Sequence, residues 1–208
     1  MRKERANIDN SLKLIVKSSF IVLIGIFLSK LFAYFYRIIV ARNFGPEVYG
    51  LFSLAIMVIG VITAFFTLGL SEGAMRYISF YRGKNEKNKI SYIFKISLSI
   101  LIFSSIISGA ILFFYSEFIS ITLFHNVELM PFLKIFSILV PSSILLSLFL
   151  SVLRSYELIG WYSTTANIFQ GAIKLILLIL LIFIGFKTNA IILSYLVGTI
   201  ATLFLAYF

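Results

Sequence analysis

Apolar runs follow one another along almost the whole chain. Each is about 19 to 23 residues long, which as a helix matches the roughly 30 Å hydrocarbon core of a bilayer. With 61% hydrophobic and 12% charged residues among 208, the chain has more apolar side chains than one small soluble core could bury. The runs therefore predict an all-α, polytopic membrane helix bundle.

Six transmembrane helices are predicted from these runs, following a basic N-terminal segment, residues 1–15. Pro141 lies inside the fourth predicted span and is expected to kink it, because proline removes a backbone hydrogen-bond donor from a helix. Small residues recur at four-residue spacing, as in Ser105 and Gly109 and in Ser194 and Gly198, and predict close contacts between helices. The predicted spans are, approximately, residues 16–40, 48–70, 91–115, 131–153, 163–186 and 190–208.

Lysine and arginine are distributed unevenly between the links that join the spans. The N-terminus and the links after the second and fourth spans carry twelve, whereas the alternate links carry two, Arg42 and Lys187. By the positive-inside rule, this bias predicts a multi-pass protein of the cell membrane with a cytoplasmic N-terminus. That topology explains the formal net charge of +10, so membrane lipids, and not nucleic acid, are the expected partners.

Four basic residues lie inside the apolar runs, without an Asp or Glu at the same depth. A cation at the centre of a membrane helix costs about 2.5–3.5 kcal/mol on insertion scales, so such residues usually face a cavity or a substrate path. Lys134 and Arg37 lie nearer the ends of their spans, where a long side chain can also reach the interface. Lys30 and Lys174 lie near mid-span and predict a cavity for an anionic substrate.

Two spans carry one polar stripe each on an otherwise apolar helix. In each stripe three polar residues follow one another at three- or four-residue spacing, so they share one helix face. A helix that lines a water-filled cavity has this pattern. The six predicted substrate-binding residues are Lys30, Tyr34 and Arg37 of the first span and Asn167, Gln170 and Lys174 of the fifth.

The sequence carries none of the motifs that common catalytic or metal sites need. It has no cysteine, so thiolate metal sites and cysteine nucleophiles are excluded. A glycine-rich phosphate loop, a His/Glu metal motif and a nucleophile elbow are also missing, and the single histidine, His125, lacks neighbouring ligands. We therefore expect no enzyme activity, no cofactor and no metal.

Glu72 and Arg76, one helical turn apart, are expected to form a local ion pair.

Two segments flanking the second span are more specific than this general pattern. Ala41-Arg-Asn-Phe-Gly-Pro-Glu-Val-Tyr-Gly50 precedes the span, and Leu68-Gly-Leu-Ser-Glu-Gly-Ala-Met-Arg-Tyr77 closes it. Together they resemble the polysaccharide (O-antigen) flippase family, whose superfamily also contains multidrug extruders and lipid II flippases. The six-span pattern extends the resemblance over nearly the whole chain. The glycines and the proline of both motifs fit turn and packing roles better than substrate contacts.

The resemblance implies an alternating-access transporter that moves a lipid-diphosphate-linked oligosaccharide from the cytoplasmic to the outer leaflet. Members of that family have two six-helix lobes around an often cationic cavity, which Lys30, Arg37 and Lys174 would line. The chain resembles the N-terminal lobe, so a second lobe or a second copy is an expected partner. Two alternatives stay open: a multidrug extruder of the same superfamily, which would need intramembrane acids, and a non-transporting scaffold or truncated gene remnant.

Overall fold

The computed structural model describes the backbone of residues 2–207 and the side chains of Val16 and residues 18–207. The side chains of the predicted basic segment, residues 1–15, therefore lie outside the described residues. So does Phe208, the last residue of the sixth predicted span. Residues 2–207 form helices joined by short links, without a strand. The prediction of an all-helical chain is confirmed for this part.

Eight α-helices and two π-helical turns make up the described chain. One π-helical turn, Ile119–Leu123, continues the third helix, and the other, Thr164–Phe169, connects the sixth helix to the seventh. Helix α8 packs against α5 and α7, and α3 packs against α2 and α5. The helices are α1 (Arg2–Phe66), α2 (Leu70–Gly83), α3 (Lys87–Phe118), α4 (Leu129–Phe136), α5 (Leu139–Ser155), α6 (Ile159–Ser163), α7 (Gln170–Ile184) and α8 (Asn189–Tyr207).

Several of these helices are long and apolar enough to cross a membrane. Among the described residues, length and composition give four such stretches, and a fifth if the bent pair α4 and α5 counts as one span. The count differs from the predicted six because the first two predicted spans fall within one continuous stretch of α1. The four stretches are Ser18–Phe66, Lys87–Leu123, Ile159–Ile184 and Asn189–Tyr207.

Helix α1 folds back on itself at Gly45. This residue has φ 86° and ψ 165°, a backbone conformation that is essentially restricted to glycine, and Pro46 starts a new helical turn after it. The rings of Tyr36 and Phe52 lie 5.7 Å apart, centroid to centroid, although 16 residues of straight helix would separate them by about 24 Å. Thus α1 consists of two packed arms, residues 2–44 (the first arm) and 46–66 (the second arm).

The predicted kink near Pro141 is confirmed. Helices α4 and α5 meet at an angle of 45°, and the break lies just before Pro141, whose missing N–H cannot continue the helical hydrogen bonds. Helix α3 passes close to this bend at Gly109, where an added Cβ would lie 3.2 Å from the Ser137 carbonyl oxygen and 3.1 Å from Pro141 Cγ. The small residue therefore allows close approach of α3, as its spacing predicted.

Three segments lie together at one end of the bundle. Arg82, at the end of α2, donates from Nη1 to the Ser155 carbonyl oxygen at 2.9 Å and pairs through Nη2 with Glu157 Oε1 at 2.8 Å. Glu157 also lines a groove with Ser18 and Ser19 of the first arm. The positive-inside count assigns these same three regions to one side of the membrane.

Candidate functional site

Lys174 of α7 is a buried cation without an acidic partner. Its side chain is 9% exposed, and its Nζ lies 3.6 Å from the centroid of the Tyr195 ring on α8. No carboxylate of the described residues is within ion-pair distance of Nζ. A desolvated ammonium over an aromatic face gains about 2 kcal/mol, which offsets only part of the cost of its burial.

A cavity of about 200 Å³ opens beside this lysine. Both arms of α1, the π-helical turn before α7, α7 itself and α8 contribute to its wall. Its charged lining residues are both basic, Arg37 and Lys174, and Gln170 adds a neutral polar group. The other residues in the wall are Ser29, Phe32, Ala33, Tyr36, Phe52, Ile56, Ala166, Gly171 and Tyr195.

Aromatic rings form one wall of this cavity. Phe52 lies 5.7 Å from Tyr36 and 5.6 Å from Tyr195, centroid to centroid, and Phe136 lies 6.2 Å from Tyr195. The Tyr36 hydroxyl donates to the Ile191 carbonyl oxygen at 3.1 Å, which ties the first arm to α8. Lys174 is 9% exposed beside these rings, so its charge is screened less than it would be at a surface.

A second cavity, of about 400 Å³, shares Ile56, Gln170, Lys174 and Tyr195 with the first. Hydroxyl groups dominate its other polar lining, together with one acid, Glu72. Contrary to the sequence expectation, Glu72 pairs with Arg154 of α5, Oε1 to Nη2 at 3.9 Å, and not with Arg76. The hydroxyl residues in the wall are Thr63, Thr67, Ser143, Ser147 and Thr199.

The six residues predicted from the polar stripes occupy different surroundings. Arg37, Gln170 and Lys174 line the first cavity together. Lys30 and Tyr34 are exposed on the first arm, outside its lining. On a helix the cavity face is centred on Ser29, Phe32 and Tyr36, so Arg37 lies at its edge and Lys30 and Tyr34 lie farther round.

Asn167 lies outside the lining of the first cavity, whereas Gln170 belongs to it. The π-helical turn Thr164–Phe169 adds one residue to a turn, so the face predicted from a period of 3.6 is shifted. Asn167 donates from Nδ2 to Ser163 Oγ at 3.3 Å, and an added Cβ on Gly25 would lie 3.3 Å from that nitrogen. Asn167 therefore packs against the first arm. Such π-helical turns often occur at functional sites.

Two tyrosines of the cavity, Tyr36 and Tyr195, are missing from the predicted set. Both lie within long apolar runs. A buried phenol needs a hydrogen-bond partner. A tyrosine inside an apolar run therefore indicates a polar contact within the bundle, and this signal could have identified both residues. Their burial near Lys174 depends on how the first arm and α8 pack together, which local spacing does not specify.

Gly198 of α8 allows Lys174 to reach the ring of Tyr195. An added Cβ at Gly198 would lie 2.5 Å from Lys174 Cγ and 3.4 Å from its Cα, so the stem of the lysine would have to move. We expect Gly198→Ala to lower the free energy of unfolding by about 1–3 kcal/mol, the usual effect of overpacking. Thermal unfolding in detergent measures this, with Gly60→Ala, which has nothing within 4 Å, as the control. Equal stability of both variants would contradict the close α7–α8 contact.

Among the described residues, no group of three His, Asp or Glu side chains could hold a metal ion.

A family model described as "Polysaccharide biosynthesis protein" matches residues 15–208. No curated protein and no solved structure matches the chain. The matched region includes both glycine motifs, the first arm from residue 15 onward, the second arm and every residue of the two cavities. The apolar helices and this match together show that the chain is a membrane protein of the polysaccharide biosynthesis protein family.

Proposed function

We propose that the chain is one lobe of a transporter that flips a lipid-diphosphate-linked oligosaccharide from the inner to the outer leaflet of the cell membrane, for polysaccharide biosynthesis. The observation that carries the proposal is Lys174, a buried cation in a cavity whose other charged group, Arg37, is also basic. Such a cavity attracts anions. A diphosphate is the anionic group common to lipid carriers of this kind.

Six spans are proposed for this lobe. The two arms of α1 would each cross the membrane once, since the fold at Gly45 returns the chain and the second arm of 21 residues, 46–66, is about 30 Å long. The third span is α3, the fourth is the bent pair α4 and α5, the fifth runs from α6 through α7, and α8 is the sixth. The lysine and arginine bias supports a cytoplasmic N-terminus.

The cavity residues fit complementary roles toward such a substrate. Lys174 and Arg37 would bind phosphate oxygens, because ammonium and guanidinium groups form strong charge-assisted hydrogen bonds with phosphate. Gln170 would bond to a sugar hydroxyl. Lys30 and Tyr34 would reach the substrate only if a second lobe or a second copy covered the exposed face of the first arm, and Asn167 would support that arm by packing against it. That covering surface would also supply the second half needed for alternating access.

Vesicles containing the intact transporter and a fluorescent lipid-diphosphate oligosaccharide test the proposal. A membrane-impermeant quencher reports how much of the labelled sugar remains in the outer monolayer, and we expect protein-dependent exchange between leaflets. The same oligosaccharide on an uncharged lipid is the control and should exchange much more slowly. Equal exchange of both lipids would refute anion selection, and no exchange of either would favour the non-transporting scaffold.

A multidrug extruder is the second candidate, because Glu72 supplies an acid to the second cavity. Cationic drugs need such a group. Cells expressing the intact protein would then survive higher drug concentrations, and Glu72→Gln would abolish that protection. Under the flippase proposal, the same substitution leaves the exchange of the diphosphate lipid within about two-fold, since Glu72 is a partner of Arg154 and lies outside the first cavity.

A further inference from the structure

A third cavity, remote from Lys174, lies where the α2–α3 link meets the end of α5. Its volume is about 430 Å³, within the usual range for small-molecule sites. Ile78, Phe94 and Val152 form its apolar part, and Arg82, Asn85 and Lys87 form its polar part. We call it the link pocket. The apolar residues belong to the bodies of the helices and the polar ones to the helix ends, so the pocket is polar on one side and apolar on the other.

The charged residues of the link pocket are both basic. Arg82 is held in place by the Ser155 carbonyl oxygen and by Glu157, which use two of its five N–H donors and leave the others free. Lys87 is exposed, and no carboxylate of the described residues pairs with it. The neighbouring Lys89 is the one that pairs with Glu86. Lys87 therefore remains available for an anion.

The surrounding sequence strengthens this positive potential. Between residues 82 and 95 there are five basic residues and one acid, Glu86. A basic segment next to the end of a membrane helix attracts anionic lipid, with about 1 kcal/mol for each charge near the surface. A general basic surface would hold lipids loosely. The apolar interior of the link pocket adds a place for the first part of an acyl chain.

We propose that the link pocket binds one anionic phospholipid, with its phosphate at Lys87 and Arg82 and the upper part of an acyl chain against Ile78, Phe94 and Val152. The charge of the rim selects an anion, and the apolar interior selects a lipid over a free phosphate. This site is separate from the Lys174 cavity and does not depend on what that cavity transports. The lipid would bridge α2, α3 and α5.

Native mass spectrometry of the intact protein, released from detergent with added phosphatidylglycerol or phosphatidylcholine, tests the site. We expect one phosphatidylglycerol to remain bound in preference to phosphatidylcholine. Lys87→Gln should weaken it roughly ten-fold, the effect of losing one charge-assisted hydrogen bond, and Lys87→Arg should retain it. Lys84→Gln is the matched control. Lys84 lies in the α2–α3 link, three residues before Lys87, but its Nζ lies over the ring of Phe80, 4.3 Å from the centroid, and outside the pocket.

Ser91→Phe is a second, uncharged variant that fills the pocket from α3, and it should displace the lipid without changing the charge. Equal losses for Lys87→Gln and Lys84→Gln would overturn the proposal in favour of a general basic surface. Equal retention of the two phospholipids would overturn the anion selectivity. Competition by glycerol 3-phosphate as strong as that by phosphatidylglycerol would overturn the lipid assignment and leave a phosphate site.

Discussion

Lys174→Met is expected to lower the exchange of the diphosphate lipid at least about ten-fold, because a hydrogen bond between charged groups contributes roughly 1.5–3 kcal/mol. The folded protein should persist, since methionine keeps the length of the stem and removes a buried charge without an acidic partner among the described residues. Loss of transport with an unchanged or higher unfolding temperature would therefore report a missing substrate contact. The measured quantity is the initial rate at which the diphosphate lipid exchanges between the leaflets of the vesicles.

Two matched variants separate this effect from a general loss of positive charge. Lys187→Met removes the same charge from an exposed link residue and should leave the exchange rate unchanged. Lys174→Arg should restore part of the rate, because a guanidinium also binds phosphate. A Lys174→Met protein that exchanges the lipid at the normal rate would remove Lys174 from the proposed binding site.

Gly45→Ala is expected to lower the free energy of unfolding by about 1–3 kcal/mol, because its backbone conformation strains any residue with a Cβ. The strain has consequences beyond the turn. The contact between Tyr36 and Phe52, and therefore one wall of the cavity, depends on the sharp return of the second arm. We expect thermal unfolding at a lower temperature together with reduced transport.

Gly50→Ala is the matched control from the same motif. Gly50 lies in the second arm without a positive φ, and an added Cβ would meet nothing within 4 Å. Alanine should be neutral there or stabilise the helix by up to about 1 kcal/mol. If Gly45→Ala were as stable as Gly50→Ala, the fold of α1 at Gly45 would not be required.

General features of the fold follow from the sequence, since hydrophobicity and proline chemistry are local. The apolar runs predicted membrane-length helices, and Pro141 predicted the bend between α4 and α5. The close contacts at Gly109 and Gly198 also followed from local spacing. The link between the first two predicted spans is shorter than predicted, because the second arm resumes at Pro46 directly after Gly45.

The candidate site was predicted less completely, because its composition depends on tertiary packing. Lys174 stood out, since an intramembrane cation is costly wherever it lies. Tyr195 did not, because only the meeting of α7 with α8 places its ring beneath that cation. Asn167 was expected on the same face as Gln170 but lies outside the cavity lining, and no spacing rule signals the π-helical turn in which it lies.

The charge preference of the first cavity is the central claim, and a single cysteine tests it most directly. The chain contains no cysteine, so Ala33→Cys, in the cavity wall, provides one reactive thiol. The measured quantity is the ratio of its reaction rates with an anionic and a cationic methanethiosulfonate reagent. Val127→Cys, on the link between α3 and α4 and 65% exposed, serves as the reference thiol.

We predict a ratio at position 33 that is roughly ten-fold or more above the reference, since the charged residues in the wall of this cavity, Arg37 and Lys174, are both basic. Adding Lys174→Met should lower the ratio at position 33 and leave it unchanged at position 127. A ratio at position 33 equal to the reference, or one that Lys174→Met does not alter, would contradict an anion-selective cavity.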